Sequence, residues 1–277
     1  MATGAGARND VERIGAEADQ SPWLDRAVRF GLVAYGVVYL LVGWVAAQLA
    51  LGQGNGRPST QGALANLAKE PLGHVLIWAV ALGLFLLVLW RLVEAVAGHR
   101  DKDGGDRMRA RLVSLGKGVI YGAIGVNAVK IALGGNASSS RSSKTLTARV
   151  LDLPAGQWIV GAVGLAILGY GARLVWRGWT DGFLEGLDGE GRSGEAGAAY
   201  TWLGRIGYVA KGIAFGIVGV LFGYAAIHHD PHKAGGLDQA LRDLLHQPFG
   251  PVLLLVIALG IGCFGLFCFA RARHLSR

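Results

Sequence analysis

The stretch RIGYVAKGIAFGIVGVLFGYAAI, residues 205–227, determines which kind of fold this chain can adopt. It is apolar and rich in glycine over the roughly 20 residues that an α-helix needs to cross a bilayer. Its one charged interior residue, Lys211, lies six positions after Arg205. A charged side chain in hydrocarbon costs free energy, so Lys211 must either extend to the membrane surface or be held by other groups of the protein.

The composition of the whole chain indicates a polytopic membrane protein. Of its 277 residues, 52% are hydrophobic and only 17% are charged, and the mean hydropathy is +0.40. A soluble protein of this length builds its core from amphipathic elements, whereas several runs here are apolar on every side. We therefore predict an all-α protein with six transmembrane helices, near residues 28–51, 73–97, 111–133, 156–177, 205–227 and 250–270.

One sequence pattern occurs three times along the chain. An arginine precedes a glycine by seven positions, an aromatic residue follows that glycine by three, and a second glycine follows it by seven. In each copy a Pro-x-Gly turn then introduces a second apolar run. The three copies contain Arg29, Gly36, Tyr39 and Gly43; Arg111, Gly118, Tyr121 and Gly125; and Arg205, Gly212, Phe215 and Gly219; their turns lie at 71–73, 154–156 and 248–250.

Each copy holds two spans, so successive copies enter the membrane from the same side and are parallel repeats around an axis along the membrane normal. We expect them to close into a pseudo-threefold bundle. Glycines seven positions apart lie on one helix face and permit close helix contact, which gives packing roles to Gly36, Gly43, Gly118, Gly125, Gly212 and Gly219. The predicted organisation is an N-terminal tail (1–25), repeats at 26–98, 111–178 and 204–271, loops at 99–110 and 179–203, and a C-terminal tail (272–277).

These motifs resemble the DUF1206 family, which consists of bacterial integral membrane proteins of unknown function. The third copy carries the resemblance best, with RIGYVAKGIAF at 205–215 and QPFG at 247–250. Tyr35 replaces the lysine of the pattern in the first copy, and Val113 replaces its first glycine in the second. The resemblance covers residues 26–275 and implies three two-helix units. It implies no activity, catalytic residue or cofactor.

The distribution of basic residues predicts the orientation in the membrane. Lysine and arginine are more frequent in the two tails and in the loops 99–110 and 179–203 than in the other connections. The positive-inside rule therefore places both termini in the cytoplasm. The first 25 residues lack the apolar core of a cleavable signal peptide, so we expect the first span to remain as an anchor in the bacterial plasma membrane.

The position of Lys211 in the third copy corresponds to Tyr35 in the first copy and to Lys117 in the second. Six residues beyond the arginine amount to about 9 Å of helix rise, which is the depth of the inner leaflet. Three residues near the cytoplasmic ends of the second and fourth spans reach a similar depth. The candidate site therefore consists of Tyr35, Lys117, Lys211, Arg91, Glu94 and Arg173.

Two interpretations of this set are open. In one, the side chains form an inward-facing, mostly basic ring that holds a small anion or an anionic lipid headgroup, with Glu94 as an internal counter-ion. In the other, they pair with one another and extend to the surrounding headgroups. The energetics of lysine at this depth permit both.

Other kinds of site find less support. The net charge of +8 does not indicate nucleic acid, because lysine and arginine are scattered at the ends of spans. The run IHHDPH at 227–232 contains metal-ligand residue types, but Pro231 interrupts the helix that would align them, so we interpret it as a polar loop without metal. We find no nucleophile elbow, phosphate loop or haem motif, and nothing favours a cofactor or an enzymatic activity.

Two functions are compatible with these observations. The first interpretation is a non-enzymatic structural or partner-binding membrane protein, whose partners no motif identifies and whose bundle should contain no continuous polar cavity. The alternative is a transporter, channel or lipid-handling protein with an anion site at the inner leaflet. This alternative requires Lys117 and Lys211 to converge on a common cavity.

Overall fold

The computed structural model describes residues 22–53, 58–68, 73–97, 104–134, 147–230, 233–234 and 236–275. Within these ranges all regular structure is helical, apart from one isolated bridge between Leu187 and Leu275. The predicted all-α class is therefore confirmed. The α-helices are α1 (Pro22–Ala50), α2 (Thr60–Leu67), α3 (Gly73–Ala97), α4 (Gly104–Ala132), α5 (147–151), α6 (Gly156–Trp179), α7 (Gly189–Arg192), α8 (Gly194–His228), α9 (Leu237–Leu245) and α10 (Gly250–Arg273).

In the described part of the chain, five helices are long and apolar enough to cross a membrane: α1, α3, α6, α8 and α10. Their most apolar stretches have mean hydropathies between 1.7 and 2.8, which is the character of a membrane protein. The sixth predicted span, 111–133, lies in α4. This helix is long enough, at 29 residues, but is more polar, because its first turns are charged and its apolar part contains Lys117, Asn127 and Lys130.

The Pro-x-Gly turns begin the second helix of the second and third units. Ala155 and Phe249 adopt left-handed backbone conformations, with φ of 70° and 59°. The glycine that follows each lies directly against the preceding short helix: a Cβ at Gly156 would be 1.8 Å from the carbonyl oxygen of Val150. Only glycine fits such a position, so the motif holds each short helix, α5 or α9, against the start of a long one. In the first unit the turn residues 71–72 lie outside the described residues.

The glycine face of a first helix packs on the second helix of the preceding unit. A Cβ at Gly212 of α8 would lie 2.7 Å from the carbonyl oxygen of Gly171 in α6. The first unit packs in the same way on the third, because a Cβ at Gly36 of α1 would lie 2.9 Å from the carbonyl oxygen of Gly265 in α10. In both pairs the two backbones touch, as in other membrane helices with small interfacial residues.

The corresponding contact of the second unit is looser. A Cβ at Gly118 of α4 would lie 3.4 Å from the Arg91 side chain, and one at Gly125 would lie 3.5 Å from the ring of Phe85, both ordinary van der Waals distances. The reason is visible in α3. The place taken by Gly171 in α6 and Gly265 in α10 is taken in α3 by Val88, whose side chain keeps α4 at a greater distance.

The long helices form an incomplete ring. α1 packs with α3 and α10, α3 with α4, and α8 with α6 and α10. Within their described residues, α4 and α6 do not pack along one another as these pairs do. Consistent with a missing neighbour, only 22% of the most apolar stretch of α6 is buried, against 44–61% in the other four apolar spans. The bundle is therefore open between α4 and α6.

The arginine of the repeated motif links the ends of packed helices. Arg205 of α8 donates from Nε and Nη2 to the two carboxylate oxygens of Asp181, just after α6, at 2.7 and 2.6 Å. Arg29 of α1 donates to the main-chain oxygen of Arg273 in α10 at 2.7 Å. The hydrogen bonds from Arg205 lower the pKa of the Asp181 carboxyl. This pair therefore stabilises the fold above the pKa of Asp181 in the unfolded chain, and the contribution is lost as pH falls through the lower folded value.

Residues 181–193, which we call the cap, cover the same end of the bundle. Phe183 is buried, stacks on Tyr208 of α8 with ring centroids 5.3 Å apart, and contacts the edge of Phe267 of α10 at 5.1 Å. Leu187 is also buried and pairs with Leu275 after α10. The following helix, α8, begins at Gly194, within the stretch 179–203 that we expected to be a loop.

The close contact at Gly212 predicts a strong effect of one methyl group. Gly212→Ala places a Cβ against the backbone of α6, and overpacking of this kind costs about 1–3 kcal/mol of unfolding free energy. Gly216→Ala is the matched control one turn later on α8, because its Cβ would meet nothing within 4 Å. Thermal unfolding of the detergent-solubilised protein measures both. Equal effects of the two substitutions would contradict backbone contact as the basis of the α6–α8 interface.

Candidate functional site

A cavity of about 330 Å³ lies at the capped end of the bundle. It is enclosed by the C-terminal parts of α3, α6 and α10 and by the N-terminal parts of α1 and α4 together with the motif region of α8. The residues that line it come from all six long helices. Among the described lining residues six are basic, namely Arg91, Lys117, Arg173, Arg177, Lys211 and Arg271, and none is a carboxylate.

The three repeat-equivalent residues Tyr35, Lys117 and Lys211 all line this cavity. They reach it from α1, α4 and α8, the first helices of the three units. Of the other residues predicted from the sequence, Arg91 and Arg173 also line the cavity. Glu94 is not among its described lining residues and is hydrogen-bonded to Arg91. The structure thus brings five of the six candidate residues to one space.

Lys211 points into the protein. Its side chain is only 5% exposed, and Nζ donates a hydrogen bond to the hydroxyl oxygen of Tyr35 at 3.1 Å. The Tyr35 hydroxyl in turn donates to that of Tyr39 at 3.2 Å. Lys211 therefore does not extend to the membrane surface, and its hydrogen bond joins the third unit to the first.

Aromatic rings supply most of the remaining surroundings of this ammonium group. Nζ lies 3.9 Å from the ring centroid of Phe264, 4.2 Å from that of Tyr39 and 5.2 Å from that of Tyr35. The faces of these rings attract a cation electrostatically, and more strongly where water is excluded. Among the described residues no carboxylate lies within salt-bridge distance of Lys211. The charge is held by dipoles and ring faces rather than by a counter-ion.

Arg91 of α3 is a predicted cation that forms a salt bridge in the described part of the chain. It pairs with Glu94 one turn later, and Ser114 of α4 donates to the same carboxylate oxygen at 3.1 Å. The guanidinium lies 4.1 Å from the ring centroid of Trp90. Although Arg91 is only 4% exposed, its Nε has no hydrogen-bond partner in the described structure. Glu94 therefore neutralises Arg91 but leaves one of its buried donors unused.

Arg177 and Arg271 were not predicted from the sequence. They lie 21 positions after the glycines of their Pro-x-Gly turns, where the first unit has Glu94. Counting from those glycines would have identified them as repeat equivalents of a residue already in the candidate set. Nε of Arg177 donates to the main-chain oxygen of Gly182 at 3.1 Å, whereas Nε of Arg271 is buried without a partner in the described structure.

The site is therefore an electropositive space. Lys117 interacts electrostatically with Arg91, Arg177 and Arg271 across it. Glu94 attracts Lys117, and Glu185 of the cap lies 3.9 Å from Nη2 of Arg177. Like charges that converge in this way raise the free energy of the empty site, and an anion relieves the repulsion. The described residues contain no cluster of three or more potential metal-ligand side chains, and His232 of the predicted polar loop lies outside them.

Comparison with known proteins identifies relatives along almost the whole chain. The family model for the Domain of Unknown Function DUF1206 matches three times, at residues 30–98, 112–181 and 206–274. Each match begins one residue after the arginine of a repeated motif. The chain is also similar to the uncharacterized protein YxxB of Bacillus subtilis (strain 168), with 28% identity over 263 residues, or 93% of this chain and 94% of that protein. No solved structure matches the chain.

Removal of the Tyr35 hydroxyl tests how Lys211 is held. Tyr35→Phe takes away the acceptor of a buried ammonium group, and we expect the unfolding free energy to fall by about 1–3 kcal/mol. Tyr224→Phe on α8 is the control, because Tyr224 is 46% exposed and does not line the cavity. Thermal unfolding in detergent provides the measurement. An unchanged Tm for Tyr35→Phe would show that the hydrogen bond contributes nothing to holding Lys211.

Proposed function

The chain belongs to the DUF1206 family, as its repeated motif predicted, and we propose that it binds an anionic group in the basic cavity. The observation that carries this proposal is the set of six basic side chains around one space, with no carboxylate among the lining residues that the structure describes. Arg91 and Arg177 have acidic partners in Glu94 and Glu185, whereas Lys211 is buried without one in the described structure. Burial of such a charge is costly, so a purely structural role would favour an apolar side chain at this position.

The guanidinium groups support an oxyanion as the ligand. Four of the six basic lining residues are arginines, namely Arg91, Arg173, Arg177 and Arg271. A guanidinium group binds phosphate or carboxylate oxygens through parallel hydrogen bonds, and a lysine adds a point charge. The cavity volume of about 330 Å³ falls in the range of sites for small molecules, roughly 300–1,000 Å³. A phosphate-bearing group fits both the charge and the space.

The cavity lies at one end of the helices, which favours binding over conduction. Its lining residues extend along the bundle only as far as Tyr121, Tyr170 and Phe264. Beyond Lys211, the rings of Tyr39 and Phe264 contact each other with centroids 4.9 Å apart. A channel requires a continuous polar path to the other side. The proposed activity is therefore the binding of an anionic group from one side of the membrane.

The proposal includes a complete membrane arrangement. We infer that α4 is the sixth span and that the three two-helix units surround a pseudo-threefold axis, with both termini in the cytoplasm of a bacterial cell. Two observations support this: each glycine-bearing helix packs on the second helix of the preceding unit, and Lys117 of α4 is turned to the cavity instead of to lipid. The positive-inside rule then places the cavity in the inner leaflet.

The number of spans determines where the termini lie. With six spans both termini are on one side, whereas with five they are on opposite sides. A fluorescent protein that matures only in the cytoplasm should therefore fluoresce when fused before Met1 or after Arg277. Alkaline phosphatase, which is active only outside the cytoplasm, should be inactive at both sites. Active phosphatase after Arg277 together with fluorescence before Met1 would overturn the six-span arrangement.

Neutralisation of the two lysines tests the anion site. Native mass spectrometry of the full-length protein in neutral detergent, titrated with phosphatidylglycerol and separately with glycerol phosphate, should detect a retained anion. In Lys117→Met/Lys211→Met we expect the affinity to fall about tenfold to a hundredfold, equivalent to about 1.4–2.8 kcal/mol for lost charge-assisted hydrogen bonds.

Lys130→Met/Lys233→Met is the matched control, since it removes the same charge from residues that do not line the cavity. This control should bind like the unaltered protein. Failure of both probes to bind the unaltered protein would reject the proposal. So would equal losses in the two double variants, because the effect would then come from net charge rather than from the site.

A further inference from the structure

Among the described lining residues, the deep wall of the basic cavity is buried and the opposite wall is exposed. The deep wall consists of side chains from α1, α8 and α10, and Tyr35, Lys211 and Phe264 are each 8% exposed or less. On the side of α4 and α6 the lining residues are open: Ile120 is 48% exposed and Tyr170 is 42% exposed. These two helices are the neighbours that do not pack along each other. The mouth of the cavity is therefore the gap between α4 and α6.

The described cap covers the end of the bundle next to this cavity. Phe183 packs on Tyr208 and Phe267, both of which line the cavity, so their outer surfaces are covered. Gly186 lies so close to Arg271 that a Cβ there would be 2.7 Å from Nε. The chain thus shields the cavity from the aqueous phase along this part of its end. Access from the side, at the depth of the bilayer, remains open.

The α4 side of the mouth is apolar, whereas the interior and the α6 side carry basic groups, including the exposed Arg173. Val113, Ile120 and Gly116 of α4 line the opening, and a Cβ at Gly116 would meet nothing within 4 Å. Val113 and Ile120 are exposed on the outer surface of a helix within the bilayer. The binding of a small water-soluble anion does not require an apolar entrance. An amphiphile with an anionic head and acyl chains matches both parts of the surface.

From this geometry we propose that the ligand is an anionic phospholipid that enters sideways between α4 and α6. Its phosphate headgroup lies among the basic side chains, and its acyl chains remain in the gap and the surrounding leaflet. Basic pockets between transmembrane helices on the cytoplasmic side bind acidic lipid headgroups in other membrane proteins. The inference rests on the proposed anion site and adds the class of ligand and its route.

A variant with a narrower mouth tests the lipid inference separately from the anion site itself. Gly116→Leu adds a side chain in open space at the opening, so it obstructs the gap without displacing a neighbouring helix. Gly169→Leu is the matched control: it lies on α6, its Cβ also meets nothing within 4 Å, and it does not line the cavity. Native mass spectrometry and thermal shift of the full chain are measured with phosphatidylglycerol, phosphatidylcholine and glycerol phosphate as probes.

We expect phosphatidylglycerol to bind at least about tenfold more tightly than either other probe, because only it supplies both the net negative headgroup and the chains. Gly116→Leu should weaken the binding of phosphatidylglycerol about tenfold, and Gly169→Leu should leave this binding unchanged.

Equal binding of glycerol phosphate and phosphatidylglycerol, with no effect of Gly116→Leu, would overturn the lipid inference while the anion site stands. No binding of any anionic probe would reject both. A change of oligomeric state in Gly116→Leu with lipid binding intact would assign the gap to a second copy and also overturn the inference.

Discussion

Backbone contact between glycine-bearing helices is the interaction on which the bundle depends. In lipid there is little hydrophobic driving force between helices, so association relies on close packing and on polar contacts. Gly171 and Gly212 bring α6 and α8 together, and Gly36 and Gly265 do the same for α1 and α10. These contacts place the helices at distances where short-range polar contacts between units are possible. The hydrogen bond from Lys211 to Tyr35 is one result.

The tight pairs also explain how basic side chains are kept inside the bundle. Lys211 directly precedes a packing residue of the repeat, because the adjacent Gly212 contacts α6. A lysine next to that contact lies at the interior and cannot reach headgroups without unwinding its helix. The ring faces of Phe264 and Tyr39 offset part of the lost hydration. Sites that keep unpaired charge in this way commonly sacrifice stability for binding.

Local signals in the sequence predicted a large part of this architecture. Glycines seven apart and Pro-x-Gly turns reveal the repeat, because each is required by the backbone geometry of a single unit. Repeat equivalence also grouped Tyr35, Lys117 and Lys211, which the structure brings to one cavity. Phe264 was missed because its role depends on which helix approaches Lys211, a property of the assembled bundle. Arg271 was missed for a simpler reason, since its position in the repeat was not compared with that of Glu94.

The gap between α4 and α6 could not be predicted from the sequence. Val88 is a departure from the glycines of the other units, and it accounts for the looser contact between α3 and α4. The repeat pattern gives no sign that α4 and α6, the two helices of one unit, do not pack along each other within their described residues. The motif describes single helices, whereas packing is a property of helix pairs in the assembled bundle.

The looser contact at Val88 and the gap beside α6 both involve α4. Three identical units would form three equivalent interfaces and three equivalent sides. Here two interfaces between units have touching backbones, the third is looser, and α4 and α6 of the second unit do not pack along each other within their described residues. Basic groups from all three units nevertheless line one cavity. Differences between the copies of a repeated sequence thus give the bundle one side that is unlike the other two.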